Sequence, residues 1–307
     1  MGLFGNMMNN YFYGKAGKGD YSVQDMPQNR RQLFSAVLKV RWGSMVGVNL
    51  LYVICWLPTL FWTMLNVITL MSQETLGGPQ TSGIVVLYLI VLIPCLLITG
   101  PFSAGIAFVM RNWARDEHSF VMSDFWDALK ANWKQSLGVS LIGSLCPLVL
   151  YFAWQFYGNL ANSNIFFMIP MSFVFLFVSV WKLSEMVIYT MMVTYKLSLR
   201  NLIRNSVLIS MAKLPLAILI KMITLVVPIC AIGLILASPS AEMYVWLVLL
   251  FLYTLFVPAF NRLVLASYAN AMCEKYLNSK IEGAETNIGL RPEDWDDTQY
   301  IPEDDED

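Results

Sequence analysis

Three ionisable residues lie where an apolar chain has little use for charge. Lys182 and Glu185 are inside the apolar run from Ile165 to Tyr195, and Lys221 is inside the run from Leu214 to Ala237. If the first run leaves a membrane near Lys196, a helical rise of about 1.5 Å per residue puts Lys182 about 21 Å deep and Glu185 about 16 Å deep. By the same rise Lys221 lies about 12 Å from Lys213. An ionised side chain at mid-membrane costs roughly 2.5–3.5 kcal/mol on insertion scales, so three unpaired ones would cost on the order of 8–10 kcal/mol. Pairing is therefore expected. Lys182 and Glu185 are three residues apart and share a helix face. The two runs are neighbours in sequence and cross in opposite directions, so Glu185 could equally meet Lys221. One reading is a closed ion pair with Lys221 snorkelling to the interface. The other is a polar, net-positive pocket between helices that receives an anionic or hydroxylated ligand. Asn49 and Asn66 place two more polar groups in the first run, where amides usually bridge helices for roughly 0.6–2 kcal/mol each.

No catalytic set accompanies these residues. The one histidine, His118, sits in a polar loop beside Asp116 and Glu117, and a metal or general-base role there lacks partners. There is no phosphate-binding Gly-x-x-x-x-Gly-Lys loop, no Gly-x-Ser-x-Gly and no His-Glu-x-x-His. Cys55, Cys95, Cys146, Cys230 and Cys273 are odd in number and form no Cys-x-x-Cys pair, which fits neither a disulfide framework nor a zinc site. The expectation is a protein that is not an enzyme, holds no cofactor or metal and binds no nucleic acid.

The elements that position the three charges follow from hydropathy. Hydrophobic residues make up 57% of the 307 and charged residues 13%, against roughly 45–50% and 25% in soluble domains. Apolar runs occupy about Ser44–Met71, Ile84–Met110, Leu137–Tyr157, Ile165–Tyr195, Leu214–Ala237 and Met243–Phe260. Each can cross a hydrocarbon core of about 30 Å as a helix, and helices are required because lipid cannot satisfy free backbone groups. The fold class is an all-α polytopic membrane protein of about six spans. Of the 20 Lys and Arg, 18 fall in the amino arm, the loops after spans two and four and the carboxyl segment, with Lys182 and Lys221 inside spans. The positive-inside rule then puts both termini in the cytosol. Three regions result: residues 1–43 as a cytosolic arm, 44–280 as the membrane domain, and 281–307 as an acidic tail. From Glu282 to Asp307 there are eleven acids and one base, so disorder or loose tethering is expected.

Leu129–Leu137 leads into span three and Leu199–Val207 into span five. Both carry Leu, two bases four apart, and Ser, and Leu38–Trp42 is a weaker echo before span one. They read as basic amphipathic elbows at the interface, or as traces of three duplicated helical hairpins. Gly100-Pro101 inside span two reads as a kink.

The stretch Asn49-Leu-Leu-Tyr-Val-Ile-Cys-Trp-Leu-Pro58 resembles the opening motif of the YesL-like family of bacterial integral membrane proteins. Gly100-Pro-Phe-Ser-Ala-Gly105 with Val109-Met-Arg111 resembles its second motif. Asp124–Asn132 with Gln135 resembles the third, and Tyr195 with Leu199–Ser206 the fourth. The resemblance marks Asn49, Pro58, Gly100, Pro101, Arg111 and Asn132 as structural motif residues. The family is of unknown function, and its members commonly sit beside components of carbohydrate ABC transporters. The resemblance implies an accessory or regulatory subunit in sugar uptake, in a bacterial cell membrane, with membrane lipids and ABC-transporter permease subunits as partners. The alternative from the charges is a stand-alone transporter or a solute- or lipid-binding membrane protein.

Overall fold

The computed structural model describes residues 26–72 and 79–292. Among these every regular element is helical. The first span is α1 (Arg30–Val53), which passes through one 3-10 turn (Ile54–Trp56) into α2 (Leu57–Met71). Pro58 sits in the first turn of α2, where its missing N–H costs nothing. Then come α3 (Pro79–Trp113) and α4 (Val121–Ala161), followed by α5 (Met168–Thr194), which a short 3-10 turn precedes. The chain ends with α6 (Leu199–Ala212), α7 (Leu214–Ala237), α8 (Glu242–Leu255) and α9 (Val257–Tyr276). Among the described residues, five helical segments are long and apolar enough to span a membrane. A sixth is the pair α8–α9, bent by 54° at its break.

The bend corrects the sixth span. Its apolar run was expected to end at Phe260 with Arg262 in the carboxyl segment that follows. Instead Pro258 occupies the first turn of a new helix, which carries Arg262 into the bundle. The elbows also differ from one another. The Leu129–Leu137 segment belongs to the unbroken α4, whereas Leu199–Val207 forms the separate α6. Pro215 separates α6 from α7 by starting the latter.

The α3–α4 pair is the densest helix contact. A Cβ on Gly100 would meet the Ser136 carbonyl at 2.6 Å and collide with Ser140 Oγ, and one on Gly105 would meet the Phe125 carbonyl at 2.8 Å. Only glycine allows backbones this close. The second motif is thus a helix-crossing device, and α3 runs through Pro94 and Pro101 as one helix. Two apolar cores flank this pair. One gathers Met45, Val48, Ile106, Met110, Phe125 and Leu263. The other gathers Val139, Trp181, Val187, Met191, Leu202 and Ala269. Helix α9 contributes to both and is the central post of the bundle.

The ends of α1, α3, α5 and α9 meet at one end, which also carries the basic loops. There Arg111 donates through Nη1 to the Val193 carbonyl at 3.4 Å and ion-pairs with Glu117 at 3.5 Å. Gln135 Nε2 donates to the Leu197 carbonyl at 2.7 Å, and Tyr195 Oη donates to Asn278 Oδ1 at 2.6 Å. Asn132 bonds only within its own helix, to the Ala128 carbonyl at 2.9 Å. The acidic tail divides at this end. Residues 281–292 are held, not loose. Arg30 pairs with buried Glu274 and donates to the Ile288 carbonyl, and Arg291 N donates to the Pro27 carbonyl at 2.9 Å. Leu290 packs on the apolar core. Gly289, at φ +78°, lies against the Arg115 carbonyl where no side chain fits. Residues 293–307, which hold most of the tail's acids, lie outside the described residues, as do 1–25 of the amino arm.

Candidate functional site

Lys182 and Glu185 project from the same face of α5 and form an ion pair, Nζ to Oε2, of 2.9 Å. The second carboxylate oxygen accepts from Trp181 Nε1 at 2.9 Å. This ladder of Trp181, Lys182 and Glu185 is local to one helix. Its third wall is α4, where Gly143 leaves the room the carboxylate occupies: a Cβ there would collide with Glu185 Oε1. A glycine in mid-helix is thus explained by a charge on the neighbouring helix.

Lys221, on α7, faces the same ladder without closing on it. No carboxylate lies within 4 Å of its ammonium among the described residues, although Glu185, Lys182 and Arg262 all act on it through space. Of the two partners open to Glu185 in sequence, the structure brings it to Lys182. Lys182 and Lys221 share a cavity of about 360 Å³ between α5, α6 and α7. Apart from Ser179 its other walls are apolar, among them Leu176, Leu183, Met211, Leu214 and Ile218. Leu176, Ile218 and Met222 are also exposed on the outer flank of the bundle, so the cavity is a groove open to the surroundings of the helices. Two cations and one carboxylate leave it net positive.

The two asparagines part company. Asn66 Nδ2 donates to the Trp62 carbonyl of its own helix at 2.8 Å and bridges to no other helix among the described residues. Asn49 is fully buried and splints the break between α8 and α9. Its Nδ2 donates to the carbonyls of Tyr253 and Thr254 at 2.9 and 2.7 Å, and its Oδ1 accepts from the Ala259 N–H at 2.7 Å. One amide thus satisfies three backbone groups that a bent span exposes, which lipid could not do.

Just past that break stands a residue the span assignment missed. Arg262 Nη2 donates to Tyr52 Oη and to Ser103 Oγ, both at 2.8 Å. The two hydroxyl oxygens are themselves 3.1 Å apart. The guanidinium also lies over the Tyr52 and Tyr189 rings, 5.4 and 5.2 Å from their centroids. Ser103 is about 15 Å along α3 from its end at Trp113, which puts the cluster well inside the bundle. Pro258 in the first turn of a helix was the available sequence signal, since proline is favoured at such starts.

Residues 45–154 match the model of a family described as "Protein of unknown function, DUF624". This is the domain of YesL-like proteins. No curated protein and no solved structure matches the chain. The matched stretch runs from α1 through most of α4. It contains Asn49, Tyr52, Pro58, Gly100, Pro101, Ser103, Arg111, Asn132 and Gly143, while Lys182, Glu185, Lys221 and Arg262 lie beyond it. The match therefore includes Gly143 beside the first cluster and Tyr52 and Ser103 of the second, and none of the charges of either. His118 is exposed and stacks edge-on against Phe120, at 4.7 Å between centroids.

Proposed function

We propose that this protein is a multi-pass protein of a bacterial cell membrane, with both termini cytosolic, that binds an anionic amphiphile in the α5–α7 groove. The occupant this chemistry fits is a phospholipid with an acidic headgroup. The phosphate meets Lys182 and Lys221, and the acyl chain follows the apolar wall. The observation that carries the reading is the Lys221 ammonium, which faces an apolar groove with no carboxylate in contact among the described residues, while Glu185 is already held by Trp181 and Lys182. Each lysine near an anionic group contributes about 1 kcal/mol. Two give about 2 kcal/mol, or roughly thirtyfold selectivity over a zwitterionic lipid at about 1.4 kcal/mol per tenfold.

The test is native mass spectrometry of the full-length chain, released from nanodiscs of mixed phosphatidylglycerol and phosphatidylcholine. The expected result is retained phosphatidylglycerol, lost in the Lys182→Gln/Lys221→Gln double variant. Equal retention of both lipids, or unchanged selectivity in the double variant, would overturn the reading.

A second reading rests on the DUF624 match and the motif resemblance: an accessory subunit of a carbohydrate ABC importer. Mild purification with tagged protein tests it. A stoichiometric permease supports it, and its absence from cells grown under importer-inducing conditions counts against it.

A further inference from the structure

Arg262 is a half-buried cation within the helix bundle that the groove does not use. A guanidinium stays ionised in any protein environment, and burying it without a counter-charge costs several kcal/mol. Yet its contacts are two hydroxyls and two aromatic faces, all neutral. No carboxylate lies within 4 Å among the described residues, and Glu185 acts on it only through space.

The hydrogen-bond count sharpens the point. Tyr52 Oη and Ser103 Oγ both accept from Nη2. At 3.1 Å from each other, one of them also donates to the other. That leaves one hydroxyl proton with no acceptor. Nε and Nη1 of Arg262 make no hydrogen bond among the described residues. The open groups are thus Nε, Nη1 and one hydroxyl proton, against at most one remaining hydroxyl lone pair. An oxyanion has lone pairs for all of these donors and supplies the missing charge.

We propose that Arg262, Tyr52 and Ser103 form an interior anion site that receives a phosphate group between α1, α3, α5 and α9. The site is built on the broken span. Asn49 fixes the bend, and the bend carries Arg262 inward on α9. Discontinuous spans are a recurrent way of placing a polar site inside a membrane bundle. The proposal does not rest on the groove reading, because it uses a different cation and different helices.

The experiment measures thermal unfolding of the full-length chain in nanodiscs of phosphatidylcholine alone, with inorganic phosphate titrated at constant ionic strength against chloride. Phosphate is expected to raise the unfolding midpoint in a saturable way and chloride is not. Arg262→Gln is expected to weaken the apparent affinity at least tenfold, and Ser103→Ala and Tyr52→Phe a few-fold each. The titration is repeated in the Lys182→Gln/Lys221→Gln background, where the groove no longer offers its two lysines, and a saturable shift that persists there belongs to the Arg262 cluster. A second arm, in that same background, replaces inorganic phosphate with short-chain phosphatidic acid. A shift with the lipid alone, abolished in Arg262→Gln, assigns the phosphate to a headgroup, and a shift with both assigns it to a free ion. If Arg262→Gln does not fold, the graded losses in Ser103→Ala and Tyr52→Phe decide the matter. An equal response to chloride, or phosphate affinity unchanged in those hydroxyl variants, overturns the proposal.

Discussion

The two charged clusters of this bundle solve one problem in opposite ways. On α5, Lys182 meets a carboxylate three residues away, and the pair is braced by an indole and fitted against a glycine. On α9, Arg262 meets only hydroxyls and ring faces. The first cluster is internally balanced, apart from Lys221, and belongs to one helix. The second is unbalanced and joins four helices. A charge that is paired locally can be structural, because its partner travels with it. One held by neutral groups from several helices has no such partner among the described residues. The comparison therefore separates a carboxylate whose contacts one helix supplies from a guanidinium whose contacts leave its charge unmatched.

The largest effect is expected at the splint under the second cluster. Asn49→Leu orphans one buried N–H and two carbonyls, each costing about 1–3 kcal/mol when unsatisfied. A loss of about 3–5 kcal/mol, seen as a sharply lower unfolding midpoint in detergent, is the expected outcome. A change below about 1 kcal/mol would mean that water satisfies the break and that the bend does not depend on Asn49.

Next comes the paired cluster. Glu185→Gln leaves Lys182 without its counter-charge and removes the charge acting on Lys221. Breaking a buried pair costs about 3–5 kcal/mol. Lys182 is 40% exposed, so about 2 kcal/mol is a fair discount for screening. Adding Lys182→Gln should recover part of the loss, and a double-mutant cycle measures the coupling. Coupling near zero would show that the ion pair does not contribute and would make the two clusters alike.

Gly143→Ala tests the same pair from the facing helix and should act less strongly. The added methyl collides with Glu185 Oε1, the end of a side chain that can move. Overpacking of this kind costs about 1–3 kcal/mol. The signature is epistasis: in a Glu185→Ala background the same methyl should cost little. A full cost in both backgrounds would place the clash elsewhere.

The paired cluster was legible in sequence and the unpaired one was not, for a physical reason. Lys182 and Glu185 interrupt an apolar run, so depth and spacing alone announce them. Arg262 follows an apolar run and has the look of a cytosolic flank residue under the positive-inside rule. Only the bend at Phe256, set by a long-range bond from Asn49, carries it into the bundle. Single-chain hydropathy registers length and charge but not a splint supplied from 210 residues away. The all-helical polytopic fold was legible because lipid leaves the backbone few choices. Residues 281–292 went the other way. Their acidity suggested disorder, yet Leu290, Gly289 and the carbonyl of Ile288 dock them on the basic end.

The smallest effect on stability is expected where the charge is least balanced. Arg262→Met removes a guanidinium whose desolvation offsets much of what its contacts contribute. It adds no buried charge without a partner, and Tyr52 Oη and Ser103 Oγ remain bonded to each other at 3.1 Å. Replacing a buried ion by an apolar side chain of similar volume is often neutral or stabilising. In phosphate-free buffer the unfolding midpoint of Arg262→Met should therefore lie within about 1 kcal/mol of the parent. With phosphate present the parent should pull ahead, since a ligand stabilises only the form that binds it. That crossing of dependences is the sharpest distinction between the clusters, because Glu185→Gln should cost stability in phosphate-free buffer, where Arg262→Met should not. If Arg262→Met is as damaging as Glu185→Gln in phosphate-free buffer, the arginine is a structural member of the bundle and the contrast between the two clusters fails.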